Sequence, residues 1–279
     1  MAIIVTALHC EAAPLIEFWG LRRAVHHRAF QLFRGDSNDA PVELIVSGIG
    51  KVRSAVAATV LAAPSTLDAP IIVNLGICGA AQHRTIGDLV YAHRIVDHAS
   101  GQAWHPDPVL KHSFYEGVLT TFDHPVTPET APAGELDLVD MEGSGFAEAA
   151  SIYTSPSAWA SLKVVSDHFS PERVSKERVG ELIGSRVGPI DEFVRSLSEA
   201  HRADKFRFDP SDEGVLNRFL TTYRLTASQK RLMTTAAREF ILRTGGDLGI
   251  LNRFLHREPN SKAELREIFN EAHRALTTP

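Results

Sequence analysis

Ile71-Ile-Val-Asn-Leu-Gly-Ile-Cys-Gly-Ala80 is the stretch on which the reading of the fold turns. Ile71–Leu75 is apolar and β-branched with no polar alternation, the pattern of a strand covered on both faces. Gly76-Ile-Cys-Gly79 follows as a glycine-rich turn. The same signal recurs on either side. Ile3–Ala7 and Val42–Ser47 precede it, and Leu89–Val96, Gly117–Thr121, Leu136–Asp140 and Leu162–Ser166 come after. Helical candidates lie between the strands at Ala13–Trp19, Val52–Leu61, Ser144–Ala158 and Pro189–Leu197. This alternation predicts an α/β layered fold with a largely parallel sheet. Asp97–His112 and Asp123–Glu135 carry Pro, Gly, His or Thr without a period and are read as loops.

The texture changes near residue 200. Strand signals stop, and Ala203–Pro210 reads as a polar linker. Beyond it the chain is helical and repeats itself. Gly214-Val-Leu-Asn-Arg-Phe-Leu220 returns 35 residues later as Gly249-Ile-Leu-Asn-Arg-Phe-Leu255. Thr226-Ala-Ser-Gln229 and Ser261-Lys-Ala-Glu264 repeat at the same interval, each a capping-box pattern that opens a helix. Two domains are expected: residues 1–200, and an all-helical extension over 201–279 with a duplicated helix–turn–helix unit. Leu216, Phe219, Leu220, Leu251, Phe254 and Leu255 are expected to be buried.

The bulk numbers set outer limits. The chain has 279 residues, 44% hydrophobic and 23% charged, ordinary values for a soluble globular protein. A formal net charge of −5 gives no electrostatic ground for a nucleic-acid or anionic-membrane partner. The two cysteines, Cys10 and Cys78, have neither metal-ligand spacing nor a disulfide framework, so a reducing cytoplasm is expected, with no metal or other cofactor. Met1–Ala7 is too short an apolar run for a signal peptide or a membrane span and lacks a basic start.

The chemically useful side chains fall just after predicted strands: Glu11 after the first, Ser47-Gly48-Ile-Gly50 after the second, Ile77, Cys78 and Gly79 after the third. Asp123, Glu142 and Asp167 follow the fifth, sixth and seventh. In open parallel sheets ligands bind outside the carboxyl ends of the strands, so these groups converge on one crevice. Each has a plainer reading when taken alone. Glu11 is also a good helix N-terminal charge, Asp167 a turn cap, and the glycine clusters ordinary turns. Glu142 is harder to absorb, because it ends an apolar strand and precedes Gly-Ser-Gly, which allows a ligand close to the backbone.

Six motifs occur in order: Ala7-Leu-His-Cys-Glu11, Ser47-Gly-Ile-Gly-Lys-Val52, Asn74-Leu-Gly-Ile-Cys-Gly-Ala80, Ile86-Gly-Asp-Leu-Val90, Val139-Asp-Met-Glu-Gly143 and Val165-Ser-Asp167. In that combination residues 1 to roughly 195 resemble the purine nucleoside phosphorylase and methylthioadenosine/S-adenosylhomocysteine nucleosidase superfamily. The resemblance implies a three-layer α/β/α phosphorylase-like fold with a mixed sheet, cleavage of a purine nucleoside, and a dimer or larger homo-oligomer. It also implies roles. Asp167 would protonate the departing base and Glu11 would activate water, a division that needs unlike environments for the two carboxyls. Glu142 would hold the ribose hydroxyls and Met141 would pack on the ribose. The remaining substrate-binding positions are Ser47, Gly48, Gly50, Ile77, Cys78, Gly79, Phe122, His124, Val126 and Ser166.

Hydrolysis is favoured over phosphorolysis. The hexameric phosphorylases carry Arg where this chain has Asn74 and Ser where it has Ile77, and a carboxylate in the first loop repels phosphate. The chain also departs from the nucleosidases. Ile77 replaces a Ser, the base-binding aromatic aligns near Pro125, Asp97–Gly117 is shortened, and the helical tail is additional. A phosphate-dependent phosphorylase and a nucleoside-binding protein without turnover stay open as alternatives.

Overall fold

The structure is a computed structural model that describes residues 1–24, 29–37, 40–63, 70–107, 109–132, 134–203, 208–223 and 225–277. The chain divides into two compact units, Met1–Ala203 and Asp204–Pro279. Half of the predicted linker, residues 204–207, lies outside the described residues.

Among its described residues the first unit contains ten strands: β1 (Ala2–Thr6), β2 (Arg22–Arg23), β3 (Gln31–Ser37), β4 (Ala40–Val46), β5 (Ile71–Ala80), β6 (Leu89–Asp97), β7 (Ala103–Trp104), β8 (Tyr115–Thr121), β9 (Leu138–Asp140) and β10 (Trp159–Asp167). Its helices are α1 (His9–Phe18), α2 (Lys51–Ala62), α3 (Gly143–Tyr153), α4 (Lys176–Gly184) and α5 (Val187–Ala203). Every residue of β1 and β10 is buried, as strands with helices on both faces require. Alternate side chains feed two cores. Ile4, Val73 and Leu162 pack with Leu15, Val179, Ile183 and Phe193 beneath α1, α4 and α5. Ile3, Val5 and Ile72 pack with Ala57, Leu61, Phe146 and Ala150 beneath α2 and α3. This is the expected α/β/α sandwich.

The sheet is mixed and bends back on itself. β1 pairs in parallel with β4 and β5, and β10 pairs in parallel with β5. β10 also pairs antiparallel with β6, and the path β6–β8–β9–β5 completes a closed ring of five strands. Strand β3 was not expected. Its sequence Gln-Leu-Phe-Arg-Gly-Asp-Ser is polar, and it exists because seven residues of β4 pair with it antiparallel. The helix predicted over Ser144–Ala158 ends at Tyr153, and Pro156 opens a separate 3₁₀ turn, since proline has no N–H to continue the α-helical ladder. Helix α4 was also missed. Ser175 caps it by accepting from Arg178 N–H at 3.2 Å.

The second unit contains α6 (Pro210–Thr222), α7 (Ala227–Thr244) and α8 (Lys262–Thr277). Leu216, Phe219, Leu220, Leu251 and Phe254 are buried in its core, and Leu255 packs partly against it. The duplication is not carried into equal helices. The first copy lies in α6, while the second forms only a short 3₁₀ turn, Leu248–Arg253. Thirty-five residues on from Pro210 and Ser211, which open α6, stand Gly245 and Gly246. Gly245, at φ 65°, ends α7 instead of opening a helix. Asp212 accepts from Leu248 N–H at 2.6 Å, and Tyr223 O–H donates to the Phe254 carbonyl, so the copies lock to each other.

Candidate active site

Glu11 lies in the first turn of α1 and is 3% exposed. Its Oε2 accepts from Ala7 N–H at 2.9 Å and Leu8 N–H at 2.8 Å, and its Oε1 accepts from Ile77 N–H at 2.9 Å. It therefore caps α1, as the plainer reading required, and also reaches across to the end of β5. Gly76 makes this approach possible, because a Cβ there would stand 2.6 Å from Glu11 Oε1. Burial pushes the Glu11 carboxyl above its usual range, while the three N–H donors and Lys163 act in the opposite sense.

Lys163 was not singled out from the sequence. It is a lone cation in an otherwise apolar strand, and a fully buried lysine demands a partner. On β10 it sits in register with Gly76, beside the Glu11 carboxylate. Its Nζ lies 2.9 Å from Asp140 Oδ2. Burial would lower its affinity for a proton, but Asp140 and Glu142 outweigh that and hold it charged. Asp140 also accepts from Thr121 Oγ1 and Gly143 N–H, each at 2.8 Å, which fixes the end of β9 and the start of α3.

Glu142 follows from that anchor. Its Oε1 accepts from Gly50 N–H at 2.8 Å, joining α3 to the Ser47–Gly50 loop. Burial first, and the Asp140 charge second, push its carboxyl up to about 7. Gly48 and Gly50 have φ 82° and 105°, backbone that suits glycine. Ser47 is fully buried and its hydroxyl donates locally, to the Thr6 or Gly48 carbonyl. Arg53, also unremarked in the sequence, lies over Gly48 and donates from Nε to the Ser47 carbonyl at 2.7 Å. Met141 is half-buried.

Asp167 is turned by a break in register. Val165 pairs with Cys78 and Asp167 with Gly79, so Ser166 is the extra residue of a bulge. Asp167 Oδ1 accepts from Ser170 N–H at 2.7 Å. Ser166 Oγ lies 2.6 Å from Asp167 Oδ2 and 3.0 Å from the Cys78 carbonyl, with one hydrogen to give. Burial raises the Cys78 thiol, which is closed off from solvent.

Residues 76–79 of β5 thus gather two of the carboxylates, Glu11 at Ile77 and Asp167 at Gly79. Glu142 joins through Gly50 and lies close enough to Glu11 for their charges to oppose each other. Asn74 is spent inside the sheet, donating to the Val5 carbonyl at 3.3 Å and accepting from Ser161 Oγ at 3.2 Å. The loop after β8 divides. Phe122 and Val126 are buried with Val139, whereas His124 is exposed. Lys51 ties this region down, with Nζ 2.9 Å from both Asp97 and Asp123. Among the described residues no group of His, Cys, Asp or Glu is arranged to hold a metal. No helix among them is long and apolar enough to cross a membrane.

Residues 2–133 match the model of the phosphorylase superfamily, so the family resemblance read from the motifs is borne out over that stretch. The Met141-Glu142 and Ser166-Asp167 motifs lie beyond it. A 5′-methylthioadenosine/S-adenosylhomocysteine nucleosidase from S. pneumoniae, solved with a transition-state inhibitor, shares 23% identity. The match covers 71% of this chain and all of that one, at a TM-score of 0.59. The Helicobacter pylori nucleosidase is 18% identical over 71% of this chain and 97% of its own, with a TM-score of 0.59. The 5′-methylthioadenosine nucleosidase of Arabidopsis thaliana is 18% identical over 73% and 96%, with a TM-score of 0.58. Among curated proteins, none matches the sequence.

Proposed function

We propose that the first unit, with its phosphorylase-superfamily sequence and fold, hydrolyses the N-glycosidic bond of a purine nucleoside. The observation that carries this reading is the Glu11 carboxylate, buried and held by three backbone N–H groups at the end of β5. A fixed carboxylate there suits a water and repels a phosphate, which needs donors or cations to offset its lost hydration.

Water attacks C1′ of the ribose and gives a proton to Glu11 as the bond from C1′ to N9 breaks. The electron pair goes to the base, and Asp167 donates a proton to N7, so the base leaves neutral. Ser166 adapts to that transfer. While Asp167 is protonated, Ser166 donates to the Cys78 carbonyl and leaves the Asp167 proton free for the base. Once Asp167 is ionised, Ser166 turns its hydrogen to the carboxylate. Glu142 holds the ribose hydroxyls near the cationic sugar, and Met141 packs on the ribose. Gly48, Gly50, Ile77, Gly79 and His124 complete the binding surface, backed from within by the buried Ser47, Phe122 and Val126, and no cofactor takes part. Ile49, Val52 and Val56 form an exposed apolar stripe at the start of α2, 54%, 77% and 47% accessible, which supports a homo-oligomer. The free thiols of Cys10 and Cys78 fit a reducing, cytoplasmic setting.

Phosphorolysis is the second reading, and Arg53 over Gly48 is the observation in its favour. Incubation with a panel of purine nucleosides, with and without phosphate, decides between them. The hydrolytic reading expects free base plus ribose or 5′-modified ribose without phosphate. A phosphate requirement with sugar 1-phosphate as product overturns hydrolysis, and no base from any nucleoside overturns both.

A further inference from the structure

We propose that Phe169 is the platform on which the purine base stacks and that it sets the base preference of this site; the inference rests on the nucleoside-cleaving reading above. Phe169 has φ 57°, and no other non-glycine residue among those described has a positive φ. Left-handed backbone is unfavourable for a bulky side chain and persists only where the surroundings hold it, most often at functional sites.

The restraints are visible. Ser170 N–H donates to Asp167 Oδ1 at 2.7 Å, closing the turn around Phe169. His168 is fixed by its Nδ1, 3.1 Å from the Ala80 carbonyl. The turn delivers the Phe169 ring to Asp167. Phe169 Cδ1 and Asp167 Oδ1 each lie 3.4 Å from the point where a Cβ on Gly79 would stand. Ring edge and carboxyl oxygen are therefore no farther apart than twice that distance, above the side-chain-free Gly79 and beside Val139, whose Cγ2 lies 3.0 Å from the same point. Phe169 packs against the cluster of Phe122, Val126 and Val139 and keeps part of its surface accessible.

A flat base needs an aromatic face with a proton donor at its edge, and Phe169 and Asp167 present that pair. The alternative aromatic, Phe122, is turned inward. It is 8% exposed and stacked on His98, with ring centroids 4.2 Å apart.

The test compares wild-type, Phe169→Leu and Phe169→Trp by titration calorimetry with adenine and hypoxanthine, alongside cleavage of their ribonucleosides. Leucine keeps the left-handed strain and most of the apolar volume but removes the π face. Stacking on an aromatic ring is worth about tenfold or more in affinity. Phe169→Leu should lose about that factor for both bases and raise KM more than it lowers kcat, while melting within a few degrees of wild-type. Phe169→Trp should restore affinity and shift the ratio of adenine to hypoxanthine binding. Should Leu unfold the protein, the Trp variant carries the test, and an unchanged ratio overturns the proposal. Wild-type affinity in the Leu variant, with nucleosides still cleaved, overturns the role of Phe169 and leaves the functional reading standing. A wild-type protein that neither binds a base nor cleaves a nucleoside overturns both.

Discussion

Lys163 Nζ lies 2.9 Å from Asp140 Oδ2, and the two side chains are 2% and 1% exposed, so this ion pair is closed off from solvent. It joins the middle of β10 to the end of β9 and stands beside both Glu11 and Glu142, whose charges Lys163 offsets. The candidate site is thus built around a buried cation.

Removing that cation leaves Asp140 charged and uncompensated. Lys163→Met is expected to lower the unfolding free energy by about 3–5 kcal/mol, and adding Asp140→Asn should recover part of the loss. Denaturant titration of the two single variants and the double gives the coupling. Additive losses would show that the pair contributes nothing as a pair.

Glu142 gives a pH signature with a defined sign. Its carboxyl is raised from 4.5 to about 7 on folding, so the folded chain holds the proton more tightly than the unfolded one. The stabilisation is complete below about pH 4.5 and is lost as pH rises through about 7. Burial and the neighbouring Asp140 and Glu11 carboxylates push the group up, while Lys163 and the Gly50 N–H pull it down. Glu142→Gln keeps an acceptor for Gly50 N–H and does not titrate. It should be more stable than wild-type by up to about 3 kcal/mol at pH 8, with the advantage vanishing near pH 4. A gap between the two proteins that is independent of pH would refute the raised value.

Glu11→Gln separates chemistry from structure. The amide presents N–H to a ring of backbone donors, so a stability loss of about 1–3 kcal/mol is expected. Turnover should fall about 10²-fold or more while nucleoside affinity changes little. Rate and affinity measured on the folded variant decide this, and near wild-type turnover removes Glu11 from the mechanism.

Gly145 allows α3 to touch the start of α2. A Cβ there would stand 2.0 Å from the Lys51 carbonyl oxygen, a backbone atom that cannot swing aside. Gly145→Ala should destabilise the first unit by about 3 kcal/mol and weaken substrate binding, because Lys51 holds Asp97 and Asp123. Thermal melting and a binding titration read both effects.

In the second unit, Phe219 is fully buried beside Tyr223 and Phe254. Phe219→Ala should cost about 3–5 kcal/mol. Segment 204–279 expressed by itself is the object to measure, and a cooperative unfolding transition is expected for its wild-type form.

The sequence by itself determined the α/β class, most of the strands, and the placing of Glu11 and Glu142 beyond strand ends, while Asp167 proved to be the last residue of β10 rather than the residue after it. Those properties are written in neighbouring residues: an unalternated apolar run makes a covered strand, and a polar residue after it stands at the strand's carboxyl end. Tertiary structure decided what the carboxylates face. Asp167 needed the bulge at Ser166 and β10 lying between β5 and β6; Glu11 needed Ile77, 66 residues away, and Glu142 needed Gly50, 92 residues away. Lys163 reads as a misplaced charge until β9 brings Asp140 to it, and nothing local marks Phe169 as left-handed. The second copy of the tail motif became a 3₁₀ turn because Gly245 and Gly246 replace the helix-opening Pro210 and Ser211. Apolar periodicity records which residues are buried, but partners distant in sequence set a side chain's charge, its hydrogen bonds and the strain it bears.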